Sequence, residues 1–166
     1  MALQLRCPHR HGLDAGRDRY TCRLTMPPNP LPYHPRQREV LRCDYSGLVP
    51  PEMCKVRWAV VVSPKFLNRP NLCTVVPLST TTPQNIQPYH VKLDRDPCPA
   101  PSGEDVWAKC DMIMTVSFSR LAGAWSGKRP DGKRNYVALA VSQGEFTRIN
   151  QGVLAALGLS HLWKTT

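Results

Sequence analysis

No window of this 166-residue sequence holds the roughly 18 consecutive apolar residues of a membrane span, and the opening "MALQLRCPHRHGLDAGRDRY" lacks the apolar middle of a secretory signal. A soluble, cytoplasmic protein with no membrane partner is expected. No C-x-x-C pair occurs among the seven cysteines, at positions 7, 22, 43, 54, 73, 98 and 110. That odd, scattered set argues against a disulfide framework and for reduced thiols. "CPHRH" with Cys22 matches no zinc spacing, so no metal site is read there. Cys43, Cys54, Cys73 and Cys110 lie in or beside apolar runs, where a free thiol acts as a small hydrophobe. Nothing in the spacing pairs one of them with His34 or His90 as a nucleophile and its base. Acids are scarce as well: 12 Asp and Glu stand against 22 Lys and Arg, giving a net charge of +10 and a pI near 9.6. Such a surplus favours phosphate, an anionic surface or an acidic partner. Up to and including Arg42 the chain carries eight basic residues against three acidic, and after it fourteen against nine, so the surplus is not confined to a tail.

What is present is a series of short β-branched runs within a length and 42% hydrophobic content suited to one core. Residues 1–34 are rich in Arg and Pro without helical or strand period, and read either as a loosely docked extension or as reading frame upstream of an initiator at Met26. The domain is expected over residues 35–160, with 161–166 as a tail. "EVLRCDYSG" alternates Val40, Arg42 and Asp44 with Leu41, Cys43 and Tyr45, a first strand stopped by Ser-Gly. "WAVVVSP" and "LCTVVPL", separated by the turn-rich "KFLNRPN", read as antiparallel neighbours. Pro77 inside the second run calls for a bulge or an edge there. "PYHVKL" is a further strand. "VWAKCDMIMTVSFSRL" places Trp107, Lys109, Asp111 and Ile113 on one parity, in a strand with a bend expected near Asp111. "SGKRPDGKRN" is a basic hairpin tip with an Asp-Gly turn, and "YVALAV" its return strand. In "SQGEFTRINQGVLAALG" the period changes. Ser142 and Glu145 form a capping-box pattern, and Phe146, Ile149, Val153, Leu154 and Leu157 recur at helical spacing before Gly158. The sum is an α+β architecture, mainly β: a small, strongly bent sheet or half-open barrel with one C-terminal helix.

"VLRCDYSG", "CKVRWAVVVSP", "CTVVPLSTTTP", "WAKCDMIMTVSFSRL" and the terminal helix, in this order and spacing, resemble the PemK/MazF family of type II toxin-antitoxin toxins from about residue 35 to 159. The resemblance implies an SH3-like curved barrel and a homodimer whose interface shapes a groove for single-stranded RNA. It also implies metal-independent endoribonuclease activity, no cofactor, and silencing by a cognate antitoxin protein. By the same resemblance the catalytic arginine is Arg57 and the catalytic hydroxyl Ser79, with Thr80 the one-residue alternative. Asp111 and Arg120 match family positions on the following strand. The chain departs from the family pattern at Trp58, where proline is usual, at Met112, where glutamine is common, and in the proline-rich "LVPPEMC", where the family carries a Gly-rich gating loop.

Those residue types suit the implied chemistry. Cleavage of RNA through its own 2'-hydroxyl needs proton transfer, a donor at the phosphoryl oxygens and positive charge beside them. Arg57 offers a bidentate fork and Ser79 a hydroxyl donor, and adjacent antiparallel strands would bring the start of one and the end of the other to one rim. With a pKa above ~12, a guanidinium is a poor base, so electrostatic stabilisation is its expected role, with His90 a candidate helper. Taken alone, Arg57 reads as an exposed loop charge and "STTT" as a solvated turn; the aligned surroundings reverse that. Lys55, Arg69, Lys128, Arg129, Lys133 and Arg134 are expected phosphate contacts, while Trp58, Phe118 and Trp125 are candidates for base stacking. The competing expectations are a solubilising role for the basic hairpin, a core role for Phe118, and, for the whole chain, a MazF-like RNA- or protein-binding module without catalysis. A membrane-surface helix is set aside because Arg148 is the one basic residue of the C-terminal helix.

Overall fold

A computed structural model describes residues 31–65, 70–97 and 103–163. Its strands are β1 Val40–Asp44, β2 Val56–Val61, β3 Leu72–Ser79, β4 His90–Lys92, β5 Trp107–Lys109, β6 Met114–Ser117, β7 Leu121–Ala122, β8 Ala124–Lys128 and β9 Arg134–Val137, and the helix α1 spans Gln143–Ala156. Seven strands form one antiparallel sheet in the order β4-β5-β3-β2-β1-β7, with β6 pairing β3 beside that path, and β8 with β9 forms a separate ribbon. The sheet curves without closing, in keeping with the strongly bent sheet or half-open barrel expected from the short strands.

Period-2 alternation decides where the core goes, because successive side chains point to opposite faces. On one face Val40, Val60, Val76, Leu78, Val91 and Ala108 pack with Phe146 and Ile149 of α1. On the other, Leu41, Cys43, Ala59, Val61, Cys73 and Val75 gather around Val116, Phe118 and Leu121. Both faces of the central strands are covered, which is why they read as near-continuous apolar runs rather than as a clean alternation.

Leu31 is buried in the second cluster and its amide donates to Phe118 O at 3.3 Å, while His34 meets the Phe118 ring edge-on at 5.3 Å. The packed unit therefore starts at least as early as Leu31, ahead of the boundary at 35 drawn from composition. The remainder of that extension, with Met26 and "CPHRH", lies outside the described residues.

Pro77 sits inside β3, buried and opposite Ala59. Thr74 O accepts from Val62, so residues 74, 76 and 78 direct their backbone groups at β2, and the missing donor of Pro77 falls on the other side. There β3 changes partner, pairing β6 up to Val75 and β5 from Leu78. No ladder bond is lost. The partner change matches a 3-10 turn at Cys110–Met112, so the bend expected near Asp111 lies where β5 gives way to β6.

Ser142 caps α1 by the anticipated reciprocal pair: its hydroxyl accepts from the Glu145 amide and the Glu145 carboxylate accepts from the Ser142 amide. Glu145 Oε1 accepts a second backbone bond, from Asp94, at 2.9 Å, tying the helix start to the segment after β4. Phe146 and Ile149 are buried as their spacing requires, but Leu157 is 58% exposed, because the helix ends there as its C-cap and Gly158 turns away at φ +72°. Gly152 brings the helix against the 3-10 turn, where a Cβ would lie 2.8 Å from Cys110 Sγ.

Candidate active site

Cross-strand register collects the polar side chains of the far rim. β2 and β3 pair Val61 with Val75, Val60 with Val76 and Ala59 with Pro77; Arg57 and Ser79 each lie two residues past that last pair, on the same face and at the same end of the sheet. Ser79 pairs in turn with Trp107 of β5, Trp107 with Lys92 of β4, and Lys109 with His90. Directly opposed residues share a face. Ser79, Trp107 and Lys92 thus form one row across three strands, Lys109 with His90 the row beside it, and Arg57 stands at the same end of the same face.

Each member has a local reason for its pose. Arg57 is exposed at the mouth of β2, and Lys55 precedes it in solvent. The Ser79 Oγ accepts from the Thr81 amide at 3.1 Å, which fixes the hydroxyl and leaves its proton available to donate. Thr80 is exposed one residue beyond. The His90 Nδ1 accepts from the Gln87 amide at 3.1 Å, so the neutral ring carries its proton on Nε2 and presents a donor there, while Tyr89 stands edge-on to it at 4.6 Å. Lys92 is neutralised by Asp105 at 2.7 Å. Burial lowers the pKa of Lys109, an effect partly opposed by the charge of Asp111, which is exposed on the 3-10 turn just past it. Trp107 is 6% exposed and its indole Nε1 has no hydrogen-bond partner.

Other candidates lie elsewhere. Trp58 is on the opposite face from Arg57, paired with Arg42 and packed against the cluster under α1, so the bulk that replaces proline points into the core. Phe118 is buried in the second cluster. Arg120 donates from Nη1 to the carbonyls of Asp44 and Ser46, both at 2.9 Å, and so anchors the start of the loop between β1 and β2. Leu48 and Met53 of that proline-rich loop pack on the second cluster. Lys128, Arg129 and Lys133 are exposed around the turn of the β8–β9 ribbon, which shares no pairing with the strands of Arg57 and Ser79. In that ribbon Arg134 lies over the Trp125 ring at 5.3 Å. Arg69 falls outside the described residues.

Thiol chemistry has no support in this geometry. Burial pushes the Cys43 thiol up to about 11 and those of Cys73 and Cys110 up to about 12. His34 lines a small pocket with Cys73, but its Nδ1 contacts Pro35 O at 3.0 Å rather than the sulfur. Among the described residues no group of three His, Cys, Asp or Glu converges as a metal site, and no helix is long and apolar enough to cross a membrane.

Trp107 and Lys109 were not singled out as site residues from sequence. Their shared parity with Asp111 was visible, but their adjacency to Ser79 depends on a register spanning almost thirty residues, which no local pattern encodes.

Comparison with known proteins bears on this rim. The family profile described as "PemK-like, MazF-like toxin of type II toxin-antitoxin system" matches residues 36–151. The uncharacterized protein YifN of Escherichia coli (strain K12) is 33% identical over 110 residues, covering 54% of this chain and 72% of its own length. Among solved structures, an endoribonuclease from a mycobacterial species superposes with a TM-score of 0.50 at 23% identity, covering 78% of this chain and 95% of its own. MazF from Deinococcus radiodurans gives 0.52 at 16%, covering 76% and 98%. At these identities the structural likeness is one of fold: antiparallel strands in an unclosed curved sheet with one C-terminal helix.

Proposed function

The chain belongs to the PemK-like, MazF-like toxins of type II toxin-antitoxin systems, and from that premise we propose that it is a metal-independent endoribonuclease acting on single-stranded RNA in the cytoplasm. The observation that carries the proposal is that Arg57 and Ser79 both lie two residues past the Ala59–Pro77 pair, on one face and at one end of the sheet, with Arg57 exposed. The 2'-hydroxyl gives up its proton to solvent as its oxygen bonds to phosphorus, the bond to the 5'-oxygen breaks, and that oxygen takes a proton from solvent, leaving a 2',3'-cyclic phosphate and a 5'-hydroxyl. Negative charge grows on the non-bridging oxygens as this happens. Arg57 meets that charge with a fixed fork of N–H donors, and the Ser79 hydroxyl, held by the Thr81 amide, adds a third. Both act before any solvent reorganisation is needed.

The working unit is a homodimer restrained by a cognate antitoxin, and residues 35–160 are its catalytic domain. A structure of a mycobacterial endoribonuclease with its cognate antitoxin has the same fold, with a TM-score of 0.50. Incubation of the purified protein with a long single-stranded RNA in EDTA tests the activity. Discrete fragments with 5'-hydroxyl ends are expected, reduced at least about 10²-fold by Arg57→Ala. Intact RNA from a folded, dimeric, antitoxin-free sample would instead identify a binding module without catalysis.

A further inference from the structure

We infer that Lys109 binds the phosphodiester next to the one being cleaved, as a second cationic contact on the far side of Ser79 from Arg57. The inference rests on the rim being an RNA site. Sheet geometry provides the placement. Ser79 is opposite Trp107, so Lys109, two residues on, is its diagonal neighbour on the same face, with Cα atoms roughly 7–8 Å apart. Arg57 lies on β2, the neighbour of β3 on the side away from β5, at the same end of that face. A strand of RNA crossing this face therefore meets a cation, a hydroxyl and a cation in sequence.

The state of Lys109 points to an anion. Lys109 is a half-buried residue, and among the described residues its ammonium makes neither an ion pair nor a hydrogen bond. Asp111 acts on it only at longer range. A cation taken partly out of water without a partner is unfavourable unless something else supplies the negative charge. Lys92, one position along the face, shows the contrasting arrangement, exposed and neutralised by Asp105. The rest of the face also offers a donor, the Nε2–H of His90. Lysine binds phosphate as a point charge without reading a base, so the contact should be indifferent to sequence.

Binding of a 2'-O-methyl RNA oligonucleotide, which cannot be cleaved, tests this across a salt series. Lys109→Met should weaken binding several-fold and flatten the slope of log K against log salt by about 0.7, the value for one phosphate contact on a single strand. Lys109→Arg should restore both, and Arg148→Met, on the helix side of the sheet and paired with Asp94, should leave the slope near that of the wild type. Lys109→Met should be at least as stable as the wild type to heat, since an unpaired, half-buried charge is removed, so loss of binding cannot come from misfolding. An unchanged slope overturns the inference, as does an effect confined to one base sequence or the absence of binding by the wild type. Its failure is distinct from failure of the nuclease reading. A protein that cleaves RNA and is indifferent to Lys109 sinks only the inference, and one that binds through Lys109 without cleaving sinks only the nuclease.

Discussion

At the scale of single residues, two side chains carry the proposed chemistry and their neighbours set the terms. The Ser79 oxygen is engaged by the Thr81 amide whereas Thr80 is exposed, so Ser79→Ala should lower the cleavage rate by about 10²-fold and Thr80→Ala by only a few-fold. Single-turnover kinetics on a short RNA would decide it, and the reverse order would move the essential hydroxyl to Thr80. The family resemblance, not residue type, singled out Arg57 and the Ser/Thr cluster, which alone read as an exposed loop charge and a solvated turn. The side to which Trp58 points was not legible. Its pairing with Arg42 and its contact with the helix-side cluster depend on which face α1 covers, a fact of tertiary packing. Arg120 was similarly opaque: an arginine at a strand end is the same letter whether it contacts phosphate or holds two carbonyls of a neighbouring loop.

Among the elements, the helix was the most readable, since caps and 3.6-residue spacing are local. Its weak point is also local. Burial pushes the Glu145 carboxyl up, but the bonds it accepts from Ser142 and from the Asp94 amide outweigh that and hold it below the usual glutamate range. A pKa depressed in the folded state contributes stability above the unfolded value of about 4.3, lost as pH falls through the folded one. Glu145→Gln should therefore cost about 1–3 kcal/mol at neutral pH, with the gap to the wild type closing in acid, as thermal melts from pH 7 to pH 3 would reveal. A gap independent of pH would mean that packing, not charge, is what Glu145 contributes. The strands were legible as strands, and the bend expected near Asp111 is the 3-10 turn at Cys110–Met112. The change of partner at Pro77 was only half visible. Proline announces a missing donor but not that the gap between β5 and β6 is what accommodates it.

For the molecule as a whole, the curved, unclosed sheet with one helix follows from short β-branched runs and a single change of period, whereas the strand order is set by pairing that no run of letters records. The docking of Leu31 was hidden for a related reason, because one apolar residue among prolines has no period. The two clusters on either side of the sheet hold a further consequence. Each contains sealed thiols: Cys110 beneath α1, donating to Ile149 O at 3.6 Å, and Cys43 with Cys73 on the opposite side. A thiol pushed up by burial is alkylated only when its surroundings open, so the protein carries an internal clock for each side of its sheet. Timed alkylation mapped by mass spectrometry should label Cys110 ahead of Cys43 and Cys73 if α1 peels away as a separate unit, and all three in step if the fold opens as one. Docking on the sheet face alone should leave that order unchanged, whereas a ligand that clamps the helix should stop only the Cys110 clock.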